Sequence, residues 1–213
     1  MRVSDLFIYP LKSARGIAIP SAAIDAFGLT GDRRAMLVDP SGHFITQREL
    51  QALAQIDIQP GPSNLRLKME GKLDIIVPPP HPDNRMDVIV WKSAVSASVA
   101  DEETNKALSD WLKRDVKMVF FDGLAKRVAN PEWAGDDTPV TFSDGYQILV
   151  TTTGSLKALN ANLLPMAKAL WAWSASVRTS SSIATRRGRK IAGRRSRSAA
   201  SASIWSSPAR AAS

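Results

Sequence analysis

The chain has 213 residues, 44% of them hydrophobic, which is enough for one large domain or two small ones. It has no cysteine, which excludes a disulfide scaffold and a thiolate metal site and fits a cytoplasmic setting. The net charge of +8 is uneven: all 20 acidic residues lie at or before Asp144, while residues 167–213 hold ten Lys and Arg. Residues 1–166 therefore carry 18 basic against 20 acidic residues, and the pI gives no argument that the body binds nucleic acid.

No apolar run reaches 18 residues, so no membrane span is expected. Met1-Arg2-Val3-Ser4-Asp5 lacks the form of a secretory signal. Residues 3–9 predict a strand ended by Pro10, and residues 17–27, with alternating Ile17 and Ile19 and later Ala22, Ile24 and Ala26, predict another. Residues 34–38 and 43–46 flank Asp39-Pro40-Ser41-Gly42, whose order suits a type I turn, so a hairpin is expected. Leu50, Leu53 and Ile56 are at helical spacing and predict a short helix or turn.

Residues 65–69 alternate strictly, and residues 73–77 follow Glu70-Gly71-Lys72, a second hairpin signal. After the connector Pro78-Pro79-Pro80-His81-Pro82, residues 86–91 and 94–99 predict strands. Residues 101–114 predict a helix: Asp101 caps it, Glu102 and Glu103 favour its positive end, and Leu108, Trp111 and Leu112 share one face. Residues 116–121 predict a strand, and the polar, turn-rich stretch 125–139 a domain boundary. Strands are expected at 140–142 and 147–152, then a helix opened by Gly154-Ser155-Leu156.

From 167 to 213 the pattern changes. Twelve Ser and twelve Ala make up half the segment, and no apolar period lasts beyond a turn. Arg186-Arg187-Gly188-Arg189-Lys190 and Arg194-Arg195-Ser196-Arg197-Ser198 are basic runs in that background. The composition reads as a disordered basic tail. A GC-rich gene read out of frame yields the same mixture, Trp171, Trp173 and Trp205 included.

Three polar clusters stand where apolar runs end: Tyr9-Pro10-Leu11-Lys12-Ser13, Gly28-Leu29-Thr30-Gly31-Asp32-Arg33 and Thr46-Gln47-Arg48-Glu49. Lys12 offers a point charge, Ser13 a hydroxyl, and Asp32 can orient Arg33 toward an anion. Taken alone, Lys12-Ser13 also reads as an ordinary solvated loop, Asp32-Arg33 as a local surface pair, and Thr46-Gln47-Arg48 as a helix start capped by Thr46. Brought together, they suit an anionic, phosphorylated ligand. His43 and His81 have no second ligand at a metal-binding spacing.

In order and spacing these clusters resemble the N-terminal β-barrel of the MOSC family, the molybdenum-cofactor sulfurase C-terminal group. The matching elements are YPxKS-like at 9–13, GLxxDR at 28–33, and TxR at 46–48 after the Asp39 to Gly42 turn. Val90-Trp91, the helix after Asp101 and the strand at 116–121 follow in family-like order. Phe142-Ser143-Asp144-Gly145-Tyr146 and Thr153-Gly154-Ser155-Leu156-Lys157-Ala158-Leu159-Asn160 resemble the start of the MOSC domain proper.

The resemblance covers about residues 1–166. It implies a mainly β fold with a few short helices (α+β): an N-terminal barrel over 1–124, the beginning of a MOSC barrel over 125–166, then the basic tail. It also implies the pterin molybdenum cofactor, with Lys12, Ser13 and Arg33 toward its phosphate and pterin side, Arg48 beside them, and Asp144 and Ser155 from the second domain. Asp144 equally reads as a turn residue and Ser155 as a helix cap.

The implied activity is reduction of N-hydroxylated small molecules with electrons from a flavin or iron–sulfur partner, or sulfur handling. Pyridoxal phosphate binding is a further implied property. The family continues with an Arg-x-Asn element and a cysteine that ligates molybdenum; this sequence has neither, so the chain is expected to be truncated in its second domain and not competent. The alternative from another class is a nucleic-acid-binding protein that uses the basic arm.

Overall fold

The computed structural model describes residues 3–163 and 182–185. The described fold is mainly β, with three α-helices. β1 (Val3–Ile8) is followed by β2 (Ile17–Ile19), β3 (Ile24–Asp25), β4 (Gly28–Leu29) and β5 (Ala35–Val38). A 3₁₀ turn at Gln51–Gln55 leads into β6 (Asp57–Pro60), β7 (Leu65–Lys68) and β8 (Ile75–Val77). The hairpin of β9 (Arg85–Val90) and β10 (Ser93–Val99) precedes α1 (Glu102–Leu112) and β11 (Lys117–Phe120). Then come α2 (Pro131–Ala134), β12 (Leu149–Thr152), α3 (Thr153–Leu163) and β13 (Ser182–Thr185).

One sheet, in the order β5-β11-β10-β9, divides the interior. All four residues of β5 are buried because its two faces serve two cores. Ala35 and Leu37 join Met118 and Phe120 of β11 in a core closed by the β6-β7-β8 sheet and by Leu108 and Leu112 of α1. Met36 and Val38 turn the other way, with Val119, the valines of β9 and β10, Phe121 and Phe142. Alternation at period two explains the division, and burial of both faces explains why Ala35-Met36-Leu37-Val38 reads as one apolar run.

Several expected elements form as the residues dictate. Gly42 donates to the Asp39 carbonyl at 2.9 Å, closing the turn, and has φ +90, which glycine tolerates. Asp101 caps α1 by accepting the Thr104 amide at 2.6 Å. Other expectations need correction. The single strand over 17–27 is broken into β2 and β3, because Pro20 cannot donate to a ladder.

Residues 140–142 form no strand; the Val140 and Phe142 amides instead donate to Arg127 O and Arg33 O, at 3.0 and 3.3 Å. β6 was not expected, since Asp57-Ile58-Gln59-Pro60 has one apolar position, yet Ile58 is buried and pairs with Leu67. Ala125 and Phe142 are buried in the second core, so the polar stretch packs against the first sheet.

Of the segment read as an unstructured tail, residues 182–185 are described, and they form β13, parallel to β12 and antiparallel to β1. The basic runs of the tail, on which the nucleic-acid alternative rests, lie outside the described residues. No helix among the described residues is long and apolar enough to cross a membrane.

Candidate functional site

The first two polar clusters are zipped together by backbone hydrogen bonds. Arg33 donates to Tyr9 O, Ala35 to Pro10 O and Lys12 to Ala35 O, all at 2.8 or 2.9 Å. The third cluster joins through Gln47, whose side-chain amide donates to Ser13 O at 2.6 Å. The segment ahead of β12 closes over them: Thr141 Oγ1 donates to Asp32 O at 3.3 Å. Three loops distant in the chain therefore meet at one place.

Lys12 is buried within that place. Its ammonium donates to Phe142 O at 2.8 Å and is ion-paired with Asp144. Burial pushes the Lys12 amine down to about 8; Asp144 opposes that shift, while Arg33 and Arg127 add to it. Ser13 is half-buried with φ 67, and this left-handed bend turns the chain after Lys12. Arg33, also at positive φ, is buried beside Asp32, with which it is ion-paired, and lies 5.3 Å from the Tyr9 ring centroid.

Three cations, Lys12, Arg33 and Arg127, thus face two carboxylates, Asp32 and Asp144. The surplus positive charge suits an oxyanion.

Residues 1–115 match the family model described as the MOSC N-terminal beta barrel domain. The chain belongs to this MOSC family. Among curated relatives, mitochondrial amidoxime-reducing component 1 of Mus musculus is 25% identical over 177 residues, covering 78% of this chain and 52% of its own. Mitochondrial amidoxime reducing component 2 of Bos taurus is 25% identical over 171 residues, covering 76% and 51%. The chain spans about half the length of the curated relatives it matches. A solution structure of a Bordetella bronchiseptica protein aligns at 18% identity and a TM-score of 0.39, covering 53% of this chain and 97% of that one.

In this MOSC chain the remaining candidates divide. Arg48 is exposed at the rim, its guanidinium 5.6 Å from the Trp91 ring centroid. Asp144, far downstream, belongs to the Lys12 cluster. Ser155 lies instead in the first turn of α3, where its amide donates to Thr152 Oγ1 at 3.0 Å and its hydroxyl meets that same oxygen. Thr152 is the capping hydroxyl there, and Ser155 follows it.

Two residues of the site are not among the ligand candidates that the sequence offers. Trp91 occupies the two-residue turn between β9 and β10, packs its ring at a tilt against Phe44 with centroids 5.1 Å apart, and donates its indole N–H to Asp144 at 3.1 Å. An aromatic residue in a turn between two alternating strands was the available signal. Arg127 donates to the carbonyls of Thr141 and Ser143, and at 3.4 Å to that of Asp144, fixing the backbone that carries Asp144. A side chain that reads backbone carbonyls leaves no motif. Trp91, Arg127, Asp144, Asn130 and their neighbours line a cleft of about 480 Å³.

Proposed function

We propose that this chain supplies the anion-binding half of a MOSC-type, molybdenum-cofactor-binding oxidoreductase homologue. The observation that carries the reading is the convergence of buried Lys12 and Arg33 with half-buried Arg127, beside the carboxylates of Asp32 and Asp144. The donor set fits the phosphate and pterin side of such a cofactor: an ammonium, guanidinium groups, and the Ser13 hydroxyl at the loop bend. Arg48 supplies a further cation at the rim. The metal side is not provided here: the sequence has no cysteine, and the described residues hold no cluster of three His, Asp or Glu side chains.

The relatives named as amidoxime-reducing components support reduction of an N-hydroxylated small molecule as the activity of the complete protein, with sulfur transfer as the other family chemistry. Reducing an amidoxime to an amidine consumes two electrons and two protons and releases water, so an external donor, a flavin or iron–sulfur protein, is required. When bound, the cofactor would supply the redox-active metal for that transfer; Lys12, Ser13 and Arg33 would hold its anionic side, with Trp91 beside the Lys12–Asp144 pair at the cleft. Without a thiolate to ligate the metal, this chain alone is not a competent reductase. The lack of cysteine supports a reducing, cytoplasmic setting.

The test is to produce the full chain in a host that makes the molybdenum cofactor, then oxidise the purified protein and quantify the fluorescent pterin released. Wild type is expected to retain pterin, and Lys12→Met and Arg33→Met to lose about nine-tenths of it, a tenfold weakening or more. Equal pterin in all three chains, or none in wild type, would overturn the reading.

A further inference from the structure

The Lys12 ammonium lies where three loops meet, and its charge is already met by a carboxylate. Asp144 Oδ1 accepts from Lys12 and, at 3.1 Å, from the indole N–H of Trp91. One oxygen shared by an ammonium and an N–H is the environment of a bound phosphate oxygen. Three observations distinguish Asp144 from a permanent core partner. Its side chain keeps 20% of its surface exposed, against 5% for Lys12. The next residue, Gly145, has open space where a side chain would project. The cleft of about 480 Å³ begins at Asp144 and Gly145 and has room for a displaced carboxylate.

Trp91 adds a fourth. It has φ 57, a backbone conformation that costs a bulky residue energy, and it is half exposed at a hairpin tip where glycine or asparagine would serve the turn better. Strain of this kind is retained where a side chain is needed in place. Here that place is over Asp144.

We propose that Asp144 is an internal stand-in for the ligand's oxyanion, held over Lys12 by Trp91 as a positioning residue, and that a phosphate-class anion takes the seat by displacing this carboxylate into the adjacent cleft. The proposal rests on the anion-binding reading above and adds a built-in competitor to it. No covalent bond changes; Lys12 and Trp91 exchange one acceptor oxygen for another. The charges suit the exchange: the entering anion replaces Asp144 as the partner of Lys12, and the displaced carboxylate stays beside Arg127, which lines the same cleft.

Isothermal titration of the full-length chain with inorganic phosphate at fixed ionic strength tests this. Asp144→Asn is expected to bind phosphate about tenfold tighter than wild type, and Trp91→Phe, which keeps a ring but loses the N–H donor, about threefold tighter. Adding Lys12→Met to Asp144→Asn is expected to abolish the gain. Equal affinity in wild type, Asp144→Asn and Trp91→Phe, all lost with Lys12→Met, would overturn the stand-in while leaving the anion seat standing. Binding that is absent, or independent of Lys12, would overturn both. Should Asp144→Asn fail to fold, as judged by circular dichroism, Trp91→Phe decides: tighter binding supports the proposal and unchanged binding overturns it.

Discussion

Asp32 and Arg33 are neighbours in the chain and partners in the interior, each no more than 3% exposed. One Asp32 oxygen pairs with the Arg33 guanidinium, and the other accepts the Tyr9 amide at 2.8 Å. A single carboxylate thus anchors the first loop and balances the second. Removing one member of a buried pair leaves a charge without compensation, so Asp32→Ala is expected to cost about 3–5 kcal/mol. Replacing both with apolar residues of similar volume, as Asp32→Leu with Arg33→Met, is expected to recover much of that loss. Urea unfolding of the three chains measures both effects.

The pH dependence has two opposed parts. Burial pushes Lys12 down to about 8 from 10.5 against the pull of Asp144, with Arg33 and Arg127 reinforcing the fall. Between those values the unfolded chain holds a proton that the folded chain has released, so Lys12 makes stability rise with pH from about 8 to 10.5. Burial lifts the Tyr9 phenol from 10.0 to about 12, with Arg33 opposing and Asp32 assisting. Above pH 10 the unfolded phenol ionises first, so Tyr9 makes stability fall toward pH 12. Lys12→Met is expected to remove the rise and Tyr9→Phe the fall, read from denaturant midpoints across this range.

At neutral pH Tyr9→Phe is expected to change stability little. Among the described residues the buried Tyr9 hydroxyl meets no hydrogen-bond partner, so its removal gives up no bond there and relieves desolvation. A gain or loss within about 1 kcal/mol is the expected result in urea unfolding at pH 7.

Two turn glycines separate backbone strain from steric conflict. Gly42 and Gly71 both have positive φ, +90 and +71. A Cβ on Gly42 would lie 2.6 Å from Asp87 O, whereas one on Gly71 would meet nothing within 4 Å. Gly71→Ala is expected to cost about 1–2 kcal/mol for the left-handed backbone alone. Gly42→Ala adds displacement of β9 and is expected to exceed that by about 1–3 kcal/mol. Thermal melting of both variants gives the comparison.

Phe142 tests whether the segment ahead of β12 is part of the first body. It is fully buried and meets Phe121 edge-to-face at 5.4 Å. Phe142→Ala is expected to cost about 3–5 kcal/mol, measured by urea unfolding. A loss below about 1 kcal/mol would mean that this segment is only loosely attached.

Much of the fold was legible where local chemistry decides. Strict alternation in Leu65-Arg66-Leu67-Lys68 places β7, and Asp101 before Glu102 and Glu103 places the start of α1. β6 escaped because its pairing with β7, rather than its own composition, makes it a strand. Residues 140–142 misled because apolar residues need burial, and here they find it in an extended loop.

The site divides along the same line. The charges, the absence of a thiolate, and the three polar clusters at the ends of apolar runs follow from residue identity and near neighbours. Packing of the whole chain sets the rest: Lys12 is spent on Asp144, 132 residues away, Trp91 shares that carboxylate, and Arg127 holds the backbone beneath it. Local periodicity reports which face of an element is buried. It carries no record of which distant charge a buried cation will meet, because that partner is set by how the sheets and loops pack.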